Sequence, residues 1–568
     1  MKESLTIYIG GEAGQGLATV GELLSRVLAK AGHNFLTFQG YHSRIRGGHN
    51  TFSIKISENE LCGPDEGADI VLSLDETTDA VDAPRLRQGG LLLSFGPAAK
   101  APDGSKTLAV PFKELGKPRE WNIVALGILL AASGLPFENA VEVVGSFFSG
   151  KGGAEEPLAS LKKGFDWAEP LIGDEFKIKP ALPPSAKRLL INGNDALALG
   201  AAAGGVNFCS FYPMSPATTI ALSLAAWAAK SGLVVEQAED EIAAINMAIG
   251  ASYGGAVPIV PTSGGGFALM VEGVSLAAMT ETPVVIAIVQ RPGPATGLPT
   301  RTEQADLNLA LYAGHGEFPR AIFSPACAEE CFELAGLAAH LAEASQGPVF
   351  ILSDQYLADC VRPIKPFDFS ALPEAVNTVA LNNDNLKKIK TDAEYLRYAD
   401  SESGVSPRLL PGFSDHLVKA DSDEHTPDGH ITEDLTWRLK QQDKRMRKLG
   451  LLVDAVQAPA YDGAEAAETI LVSWGSTKGA VLEAVQHLNN NGIKAASLHF
   501  SQVYPLKPDQ WLTKLKKAKM VVFVEGNAEG QFAQLVQRET CFRPHRKISR
   551  YDGLPVTASY ILERLEVK

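Results

Sequence analysis

Short apolar runs, each followed by a glycine or proline turn and then by a stretch with helical spacing, recur along most of the chain. The first occupies residues 5–9, leads into the glycines of GGEAGQG and precedes a helical stretch at residues 18–31. Similar runs, rich in β-branched residues, occupy residues 257–261, 283–289 and 348–352. Apolar strands that alternate with helices are typical of parallel sheets covered on both faces. The pattern therefore predicts an α/β protein.

The alternation is interrupted twice, and the interruptions divide the chain. Residues 1–178 and 187–365 each predict an α/β unit, and the lysine- and proline-rich stretch FKIKPALPP between them suits a linker. Residues 366–460 are rich in Asp, Lys, Pro and Asn with weak periodicity, which predicts an extended connection with one helix at 432–450, ended by its glycine. Residues 461–568 predict a third, smaller α/β unit.

The composition excludes several classes of protein. With 52 Lys and Arg against 66 Asp and Glu, the 568-residue chain has a formal net charge of −14 and no basic stripe, which argues against nucleic-acid binding. No apolar run approaches the roughly 20 residues of a membrane-spanning helix, and the N-terminus has no signal-peptide pattern. We therefore expect a cytoplasmic enzyme without membrane contact.

The cysteines give no metal signature. Six are scattered along the chain, and only Cys327 and Cys331 lie close together. Their spacing falls in an amphipathic helical stretch, which favours a buried helix over a metal site. Because no second Cys or His pair lies nearby, we expect no zinc or iron–sulfur site on this chain.

Two candidate anion sites lie in the first unit. The turn GGEAGQG, with Gly14 and Gly16, could let a phosphate approach the backbone, although a purely structural turn is equally compatible with these residues. The stretch YHSRIRGGHN places His42, Arg44 and Arg46 close together, either as a surface loop or as a site for an anionic ligand.

Three further turns follow predicted strands of the second unit, where open α/β sheets bind ligands. The turn YPMSPATT and the acidic stretch EQAEDE can both be explained as helix caps. The loop RPGPATGLPTR carries an arginine at each end, which suits a carboxylate ligand.

Taken together, GGEAGQG, YHSRIRGGHN, YPMSPAT, QAEDEIAAINMAIGAS and QRPGPATGLPTRTEQ resemble the 2-oxoacid:ferredoxin oxidoreductases. The order of the blocks is similar to that of the α chain of the two-subunit type, and most similar to those acting on 2-oxoglutarate. The resemblance implies a γ-like domain at 1–178, a thiamine diphosphate pyrimidine-binding domain at 187–365, the connection at 366–460 and a transketolase-C-like domain at 461–568.

The resemblance also implies a reaction and the residues that support it. The family converts a 2-oxoacid and coenzyme A to an acyl-CoA and CO2, reversibly, and passes electrons to ferredoxin. Glu241 takes the position that contacts the cofactor's aminopyrimidine ring, with Glu239 as the alternative, and Arg291 takes the position that binds the substrate 1-carboxylate. Further binding positions implied in the same way are Ser215 and Thr296 for substrate, and Tyr212, Pro213, Ser263 and Gly264 for cofactor. Because coenzyme A is polyanionic, the basic side chains and the glycine turn of the first unit are the candidates to hold coenzyme A or a distal carboxylate: His42, Arg44, Arg46, Gly14 and Gly16.

Two turns depart from the family pattern. The family's usual Tyr-Pro-Ile-Thr-Pro is Tyr-Pro-Met-Ser-Pro here, which keeps a hydroxyl at Ser215. The loop TSGGGF stands where Gly-Pro-Gly is more usual, and it should still pack tightly against the cofactor.

What the sequence lacks predicts a partner. It has no Gly-Asp-Gly motif to hold Mg2+ and the cofactor diphosphate, and no cluster-binding cysteines. The resemblance therefore implies a β subunit that brings the Mg2+ site and a [4Fe–4S] cluster, paired with this chain as (αβ)2. Three alternatives remain open: a pyruvate or branched-chain 2-oxoacid enzyme, a thiamine diphosphate enzyme that does not use ferredoxin, and a subunit without catalysis.

Overall fold

The computed structural model describes residues 1–41, 48–96, 101–150, 153–182, 184, 186–389 and 394–566. Within them the chain folds into three α/β units, each built on a sheet of predominantly parallel strands with an antiparallel edge. The predicted α/β class is confirmed. The exact domain bounds 1–178, 187–365, 366–460 and 461–568 stay predictions.

The first unit is a six-stranded sheet with helices on its faces, in the order β2-β3-β1-β4-β5-β6. Its strands are β1 (Ser4–Glu12), β2 (Asn34–Gly40), β3 (His49–Ser57), β4 (Ala68–Ser73), β5 (Leu86–Ser94) and β6 (Lys106–Ala109). Its helices are α1 (Leu17–Ala31), α2 (Glu76–Asp82), α3 (Phe112–Leu115), α4 (Trp121–Ser133), α5 (Phe137–Phe148) and α6 (Glu155–Ala168). Strand β1 runs antiparallel to β3 and parallel to β4, and β2 runs antiparallel to β3, so the ends of β1 and β2 and the start of β3 lie at the same edge of the sheet.

The second unit contains the largest sheet and the turns that follow its central strands. Its strands are β7 (Leu189–Ile191), β8 (Phe208–Phe211), β9 (Val234–Gln237), β10 (Pro258–Thr262), β11 (Val284–Gln290), β12 (Ala321–Phe323), β13 (Pro348–Asp354) and β14 (Arg362–Ile364). Its helices are α7 (Gly193–Ala203), α8 (Thr218–Ser231), α9 (Glu241–Tyr253), α10 (Gly264–Met279), α11 (Leu307–Tyr312), α12 (Ala328–Ser345) and α13 (Gln355–Asp359). Strands β8 to β13 pair in parallel in the order β12-β13-β11-β10-β8-β9. The strands β10, β11 and β13 are fully buried, as their β-branched runs predict.

The connection contains two helices, α14 (Thr378–Lys388) and α15 (Leu435–Asp454), so the prediction of a single helix there was wrong. Helix α14 gives no apolar period because its two buried positions are the polar residues Thr378 and Asn382. Helix α15 also starts three residues later than predicted, where the Asp434 side chain accepts hydrogen bonds from the amides of Thr436 and Trp437. It continues past Gly450, because the glycine lies inside a helix held by packing on both sides of it.

Helix α15 packs on the second unit through a buried charge cluster. Its buried positions, Gln441, Lys444, Arg445, Lys448 and Leu452, follow helical spacing but are mostly polar. The fully buried Glu281 forms ion pairs with the ammonium nitrogens of Lys444, at 2.7 Å, and Lys448, at 2.6 Å. These cations hold the pKa of Glu281 well below its usual range despite burial. The cluster fixes the connection on the second unit by charge.

The third unit is a five-stranded sheet in the order β15-β17-β16-β19-β20. Its segment supplies the strands β15 (Ala460–Gly463), β16 (Thr469–Trp474), β17 (Ala495–Phe500), β18 (Gln502–Tyr504), β19 (Met520–Glu525) and β20 (Arg546–Ser549). Its helices are α16 (Lys478–Asn490), α17 (Leu512–Lys517), α18 (Gln531–Thr540) and α19 (Ala558–Leu565). Strand β18 leaves this sheet and extends the sheet of the second unit, antiparallel to β12.

The second and third units share one hydrophobic core. Phe267 and Ile286 of the second unit belong to the same buried cluster as Trp474, Phe523 and Phe532 of the third. In the described part of the chain, every helix is too short or too polar to cross a membrane.

Candidate functional site

The carboxyl edge of the second sheet gathers the turns singled out in the sequence. The turn YPMSPAT follows β8, the stretch AEDE follows β9, Ser263 and Gly264 follow β10, and Arg291 follows β11. Because β8, β9, β10 and β11 are neighbours and parallel, these four turns share one edge. This edge is the usual ligand crevice of an open α/β sheet.

Glu241 is the first residue of α9 and is almost completely buried, with 4% of its surface exposed. The preceding Asp240 caps the helix, its carboxylate accepting a hydrogen bond from the Ala243 amide at 2.7 Å. The Oε1 atom of Glu241 is buried without a hydrogen-bond partner in the structure. A buried oxygen that lacks a partner is costly, and such atoms are found where a ligand completes the hydrogen bond. The alternative, Glu239, is exposed.

The first turn of α10 lies between two carboxyl groups. A Cβ atom on Gly266 would lie 2.7 Å from Oε1 of Glu241, and one on Gly264 would lie 2.5 Å from both carboxylate oxygens of Asp306. A side chain at either position would therefore have to displace one of these carboxyl groups. Next to them, the hydroxyl of Ser263 is buried and unpaired, as is one carboxylate oxygen of Asp306.

Arg291 is held across the crevice by the turn after β8. Its Nη1 atom donates a hydrogen bond to the carbonyl oxygen of Ser215 at 2.5 Å, and burial lowers its pKa. The turn itself is fixed by the buried Asn194, whose amide donates to the carbonyl of Pro216 at 2.9 Å and to the hydroxyl of Thr219 at 2.7 Å. Asn194 was missed in the sequence, where an Asn inside a helix after an Asn cap carries no distinct signal.

The loop that begins at Arg291 covers the start of α10. The carbonyl oxygen of Ala295 would lie 3.6 Å from a Cβ atom on Gly265, so the neighbouring Thr296 lies near the crevice with an exposed side chain. Ser215, Tyr212 and Pro213 are also exposed. The structure thus brings Ser215, Glu241, Ser263, Gly264 and Arg291 together, with Thr296, Tyr212 and Pro213 at the open side.

Two acidic residues beyond this loop were missed by the sequence analysis. Burial raises the pKa of Asp306 to about 6, partly offset by Arg291, and burial together with Asp306 raises the pKa of Glu303 to about 7. The amide of Asp306 donates to the side-chain oxygen of Gln290 at 3.0 Å, and Gln304 is hydrogen-bonded to Gly526 of the third unit. Paired carboxyls with raised pKa values are a frequent property of functional sites.

Replacement of Asp306 with Asn should raise the melting temperature of the protein at pH 8, and this gain should shrink as the pH falls towards 5. The pKa of Asp306 is about 6 in the folded chain against an ordinary 3.8, so between these values the folded state binds more protons than the unfolded state. Stability then falls as the pH rises, and the amide removes that cost. Thermal unfolding at several pH values would check this.

Asp384→Asn is the control for this measurement. Asp384 is exposed and paired with Lys387 at 2.9 Å, and its pKa is lowered, so its replacement should have a small effect that does not vary between pH 5 and 8. A loss of stability in Asp306→Asn, or a gain independent of pH, would contradict the raised pKa.

The first unit holds the other predicted positions. Gly14 and Gly16 form the turn between β1 and α1 with φ angles of 100° and 80°, a left-handed conformation that favours glycine. His42, Arg44 and Arg46 lie outside the described residues. The hydroxyl of Thr300, in the loop that starts at Arg291, donates a hydrogen bond to the carbonyl of Tyr41. The loop therefore runs from the crevice to the first unit.

A resident metal is not indicated by the described side chains, which contain no group of three or more His, Cys, Asp or Glu placed to bind one ion. The fold and the site define an α/β enzyme with its ligand crevice at the carboxyl edge of a parallel sheet. The chain matches two family models, "pyruvate ferredoxin/flavodoxin oxidoreductase" over residues 6–167 and "pyruvate flavodoxin/ferredoxin oxidoreductase, thiamine diP-binding" over residues 199–444.

Similar proteins cover almost the whole chain. The 2-oxoacid:ferredoxin oxidoreductase subunit alpha of Sulfolobus sp is 31% identical over 99% of this chain and 96% of its own length. The 2-oxoglutarate oxidoreductase subunit KorA of Mycobacterium tuberculosis is 28% identical over 94% of this chain and 87% of its own length. A solved 2-oxoglutarate:ferredoxin oxidoreductase from Magnetococcus marinus, with 2-oxoglutarate, coenzyme A and succinyl-CoA bound, matches with a TM-score of 0.92 and 31% identity over 100% of this chain and 99% of that one. The chain belongs to the 2-oxoacid:ferredoxin oxidoreductase family, among its α subunits.

Proposed function

We propose that this chain is the α subunit of an enzyme that converts 2-oxoglutarate, coenzyme A and oxidised ferredoxin to succinyl-CoA, CO2 and reduced ferredoxin. The observation that carries the substrate is the match along the whole chain to the Magnetococcus marinus enzyme, which binds 2-oxoglutarate, coenzyme A and succinyl-CoA. Because the reaction is reversible, the same enzyme could fix CO2 in a reductive TCA cycle. We place it in the cytoplasm.

The residues of the crevice fit the pyrimidine end of thiamine diphosphate. Gly264 and Gly266 let the carboxyl groups of Asp306 and Glu241 pack against the first turn of α10. The buried, unpaired oxygens of Glu241 and Ser263 can hydrogen-bond to a ring that carries nitrogen groups. When bound, thiamine diphosphate supplies the electron sink that lets a 2-oxoacid lose CO2. Glu241 would hold a ring nitrogen, Ser263 and Gly264 would contact the ring, and Tyr212 and Pro213 would close the open side.

The substrate would meet the same crevice from the side of Arg291. The guanidinium of Arg291 is positioned by the Ser215 carbonyl and keeps further N–H donors for the 1-carboxylate. The hydroxyls of Ser215 and Thr296 can add hydrogen bonds from the exposed side. Because the guanidinium is partly desolvated, its attraction for a carboxylate is stronger than it would be in water.

The chain alone would not complete the reaction. The absence of a Gly-Asp-Gly motif and of cluster-binding cysteines in the sequence supports a β subunit that brings Mg2+, the diphosphate site and a [4Fe–4S] cluster. Subunits named alpha among the relatives support such a partner. We propose an (αβ)2 assembly that delivers electrons to ferredoxin.

We further propose that His42, Arg44 and Arg46, with the turn of Gly14 and Gly16, hold coenzyme A or the distal carboxylate of the substrate. The hydrogen bond from the Thr300 hydroxyl to the carbonyl of Tyr41 supports this. Tyr41 directly precedes His42 in the chain, and Thr300 lies in the loop that begins at Arg291.

Arg46→Ala should raise the Michaelis constant for coenzyme A or for 2-oxoglutarate, because it removes a cation from the proposed anion site, and Arg46→Lys should restore part of the affinity. Steady-state kinetics on the assembled enzyme, with each substrate varied in turn, would measure this. If Arg46→Ala leaves both constants unchanged, Arg46 has no part in binding either substrate.

The proposed reaction can be tested on the pair of subunits. The chain should be co-expressed with its β subunit and purified without oxygen, and reduction of a viologen dye should be followed with 2-oxoglutarate, pyruvate or 2-oxoisovalerate. We expect reduction that requires coenzyme A and is most efficient with 2-oxoglutarate. A higher kcat/KM for another 2-oxoacid would assign that compound as the substrate in place of 2-oxoglutarate. Activity that does not require coenzyme A, or a lack of activity with every 2-oxoacid of the panel, would contradict the proposal.

A further inference from the structure

A second cavity lies where the three units meet, apart from the crevice around Glu241. It has a volume of about 190 Å³. The first unit contributes Tyr8, His49 and Arg85 to its wall, the second contributes Arg301, and the third contributes Leu554. The cavity therefore exists only when all three units are packed together.

Two arginines face this cavity without a carboxylate partner. Neither Arg85 nor Arg301 lies within 4.0 Å of an acidic oxygen among the residues the structure describes. Arg550 and Arg87, nearby in the fold, are different: Arg550 pairs with Asp552 at 3.0 Å and with Glu66, and Arg87 pairs with Asp65 and Asp69. Arg301 is half-buried, whereas Arg85 is exposed. A half-buried guanidinium group without an acidic partner is unfavourable unless an anion joins it.

The two guanidinium groups are close enough to affect each other. Burial lowers the pKa of Arg301, and the charge of Arg85 lowers it further. Arg301 reaches this position because Gly40 has no side chain: a Cβ atom there would lie 2.7 Å from Nη1 of Arg301. Arg85 lies beside the ring of Tyr8, with 6.0 Å between its Cζ atom and the ring centroid. Two like charges are thus held at one cavity by the fold.

The acidic residue in the cavity wall is already engaged elsewhere. Asp82 pairs with His49, with 3.0 Å between Oδ2 and Nε2, and accepts hydrogen bonds from the Thr51 hydroxyl at 3.2 and 3.3 Å. It partly offsets the positive charge near Arg301 but does not form an ion pair with either arginine. His49 adds a ring nitrogen to the same wall.

We propose that this cavity is a binding site for an oxyanion, a phosphate or carboxylate group, held between Arg85 and Arg301. Guanidinium groups bind both kinds of oxyanion through paired N–H donors. Arg301 and Arg291 stand at opposite ends of the same loop, so an anion in the cavity and a carboxylate in the crevice fix that loop at both ends. The group could belong to coenzyme A, to the far carboxylate of the substrate or to free phosphate, and the experiment separates these sources.

The test uses the assembled enzyme with Arg85→Ala, Arg301→Ala and Gly40→Ala, the last of which should displace Arg301 without removing it. Inorganic phosphate and pyrophosphate should raise the melting temperature of the wild-type enzyme, and the arginine variants should lose this shift. This readout does not depend on the proposed function. Arg119→Ala is the control, because Arg119 is exposed and pairs with Glu156 at 2.8 Å.

Steady-state kinetics of the same variants identify the source of the anion, and this part of the test rests on the proposed function. Loss of one charged contact should raise the relevant Michaelis constant by roughly 10- to 100-fold. If the Michaelis constant rises for coenzyme A but not for dephospho-coenzyme A, the cavity binds the 3′-phosphate, and an equal rise for both compounds assigns the diphosphate instead. If the Michaelis constant rises for 2-oxoglutarate but not for 2-oxobutyrate, the cavity binds the distal carboxylate. If folded variants keep the wild-type phosphate shift and unchanged constants for every compound, the cavity is not an anion site.

Discussion

Glu241→Gln should lower the turnover number of the assembled enzyme by roughly 10²- to 10⁴-fold, the usual contribution of one positioned acid–base group. The amide keeps the size of the side chain at the start of α9, so the fold and the packing against Gly266 should be retained. The amide cannot hold a cofactor ring nitrogen as a carboxyl group does, because it has one acceptor oxygen and one donor NH2 group and does not exchange a proton as a carboxyl group can. Turnover in the anaerobic viologen assay, with saturating thiamine diphosphate, is the measurement.

Glu239→Gln is the matched control for this experiment. Glu239 lies two residues away on the same acidic stretch, but it is exposed, whereas Glu241 is buried with an unpaired oxygen. The control should therefore keep near-normal turnover. If Glu239→Gln loses activity and Glu241→Gln does not, the catalytic assignment moves to Glu239. Size-exclusion chromatography of both variants checks their assembly, and a normal elution volume excludes an assembly defect.

Glu281→Gln should destabilise the chain by about 3–5 kcal/mol, the cost of breaking a buried ion pair by removing one partner. The carboxylate lies 2.7 Å from the ammonium of Lys444 and 2.6 Å from that of Lys448, and it is fully buried. Its loss leaves two buried cations uncompensated where α15 packs on the second unit. Urea unfolding followed by circular dichroism would measure the change in the free energy of unfolding.

The pH dependence of the free energy of unfolding distinguishes the loss of charge at Glu281 from a purely steric effect of the substitution. The pKa of Glu281 is lowered by Lys448 and Lys444 from an ordinary 4.5, so its stabilising contribution is fully present above about pH 4.5 and is lost as the pH falls further. The wild type should lose that contribution in acid, and the variant should lack it at all pH values. The matched control is Glu156→Gln, an exposed partner of Arg119, which should cost less than about 1 kcal/mol. Equal effects of the two substitutions would contradict the role of burial.

The sequence by itself determined the class of fold and the positions of most strands and helices. Apolar runs and helical periods depend on neighbours along the chain, so residues 5–9, 257–261 and 348–352 could be recognised as strands without knowledge of the rest. The same local pattern placed the turns after β8, β9, β10 and β11, and the resemblance of those turns to a family supplied Glu241, Arg291 and Ser215 as candidates.

Sequence patterns failed where buried positions are polar. The inner face of α15 is built of Gln441, Lys444, Arg445 and Lys448, and α14 buries Thr378 and Asn382, so neither helix shows the apolar period that marks its bounds. Their stability depends on partners distant in the chain, such as Glu281 and the amide of Leu410, which hydrogen-bonds to Asn382 at 2.8 Å.

Only the tertiary structure decided which polar groups meet. Asp306 comes to lie against Gly264, and the short strand β18 crosses into the sheet of the second unit. Arg85 and Arg301, 216 positions apart, face one cavity because three separate units pack around it. Periodicity along the chain reports which residues are buried, but not which distant residue lies opposite, since that depends on how the sheets and their loops pack in three dimensions.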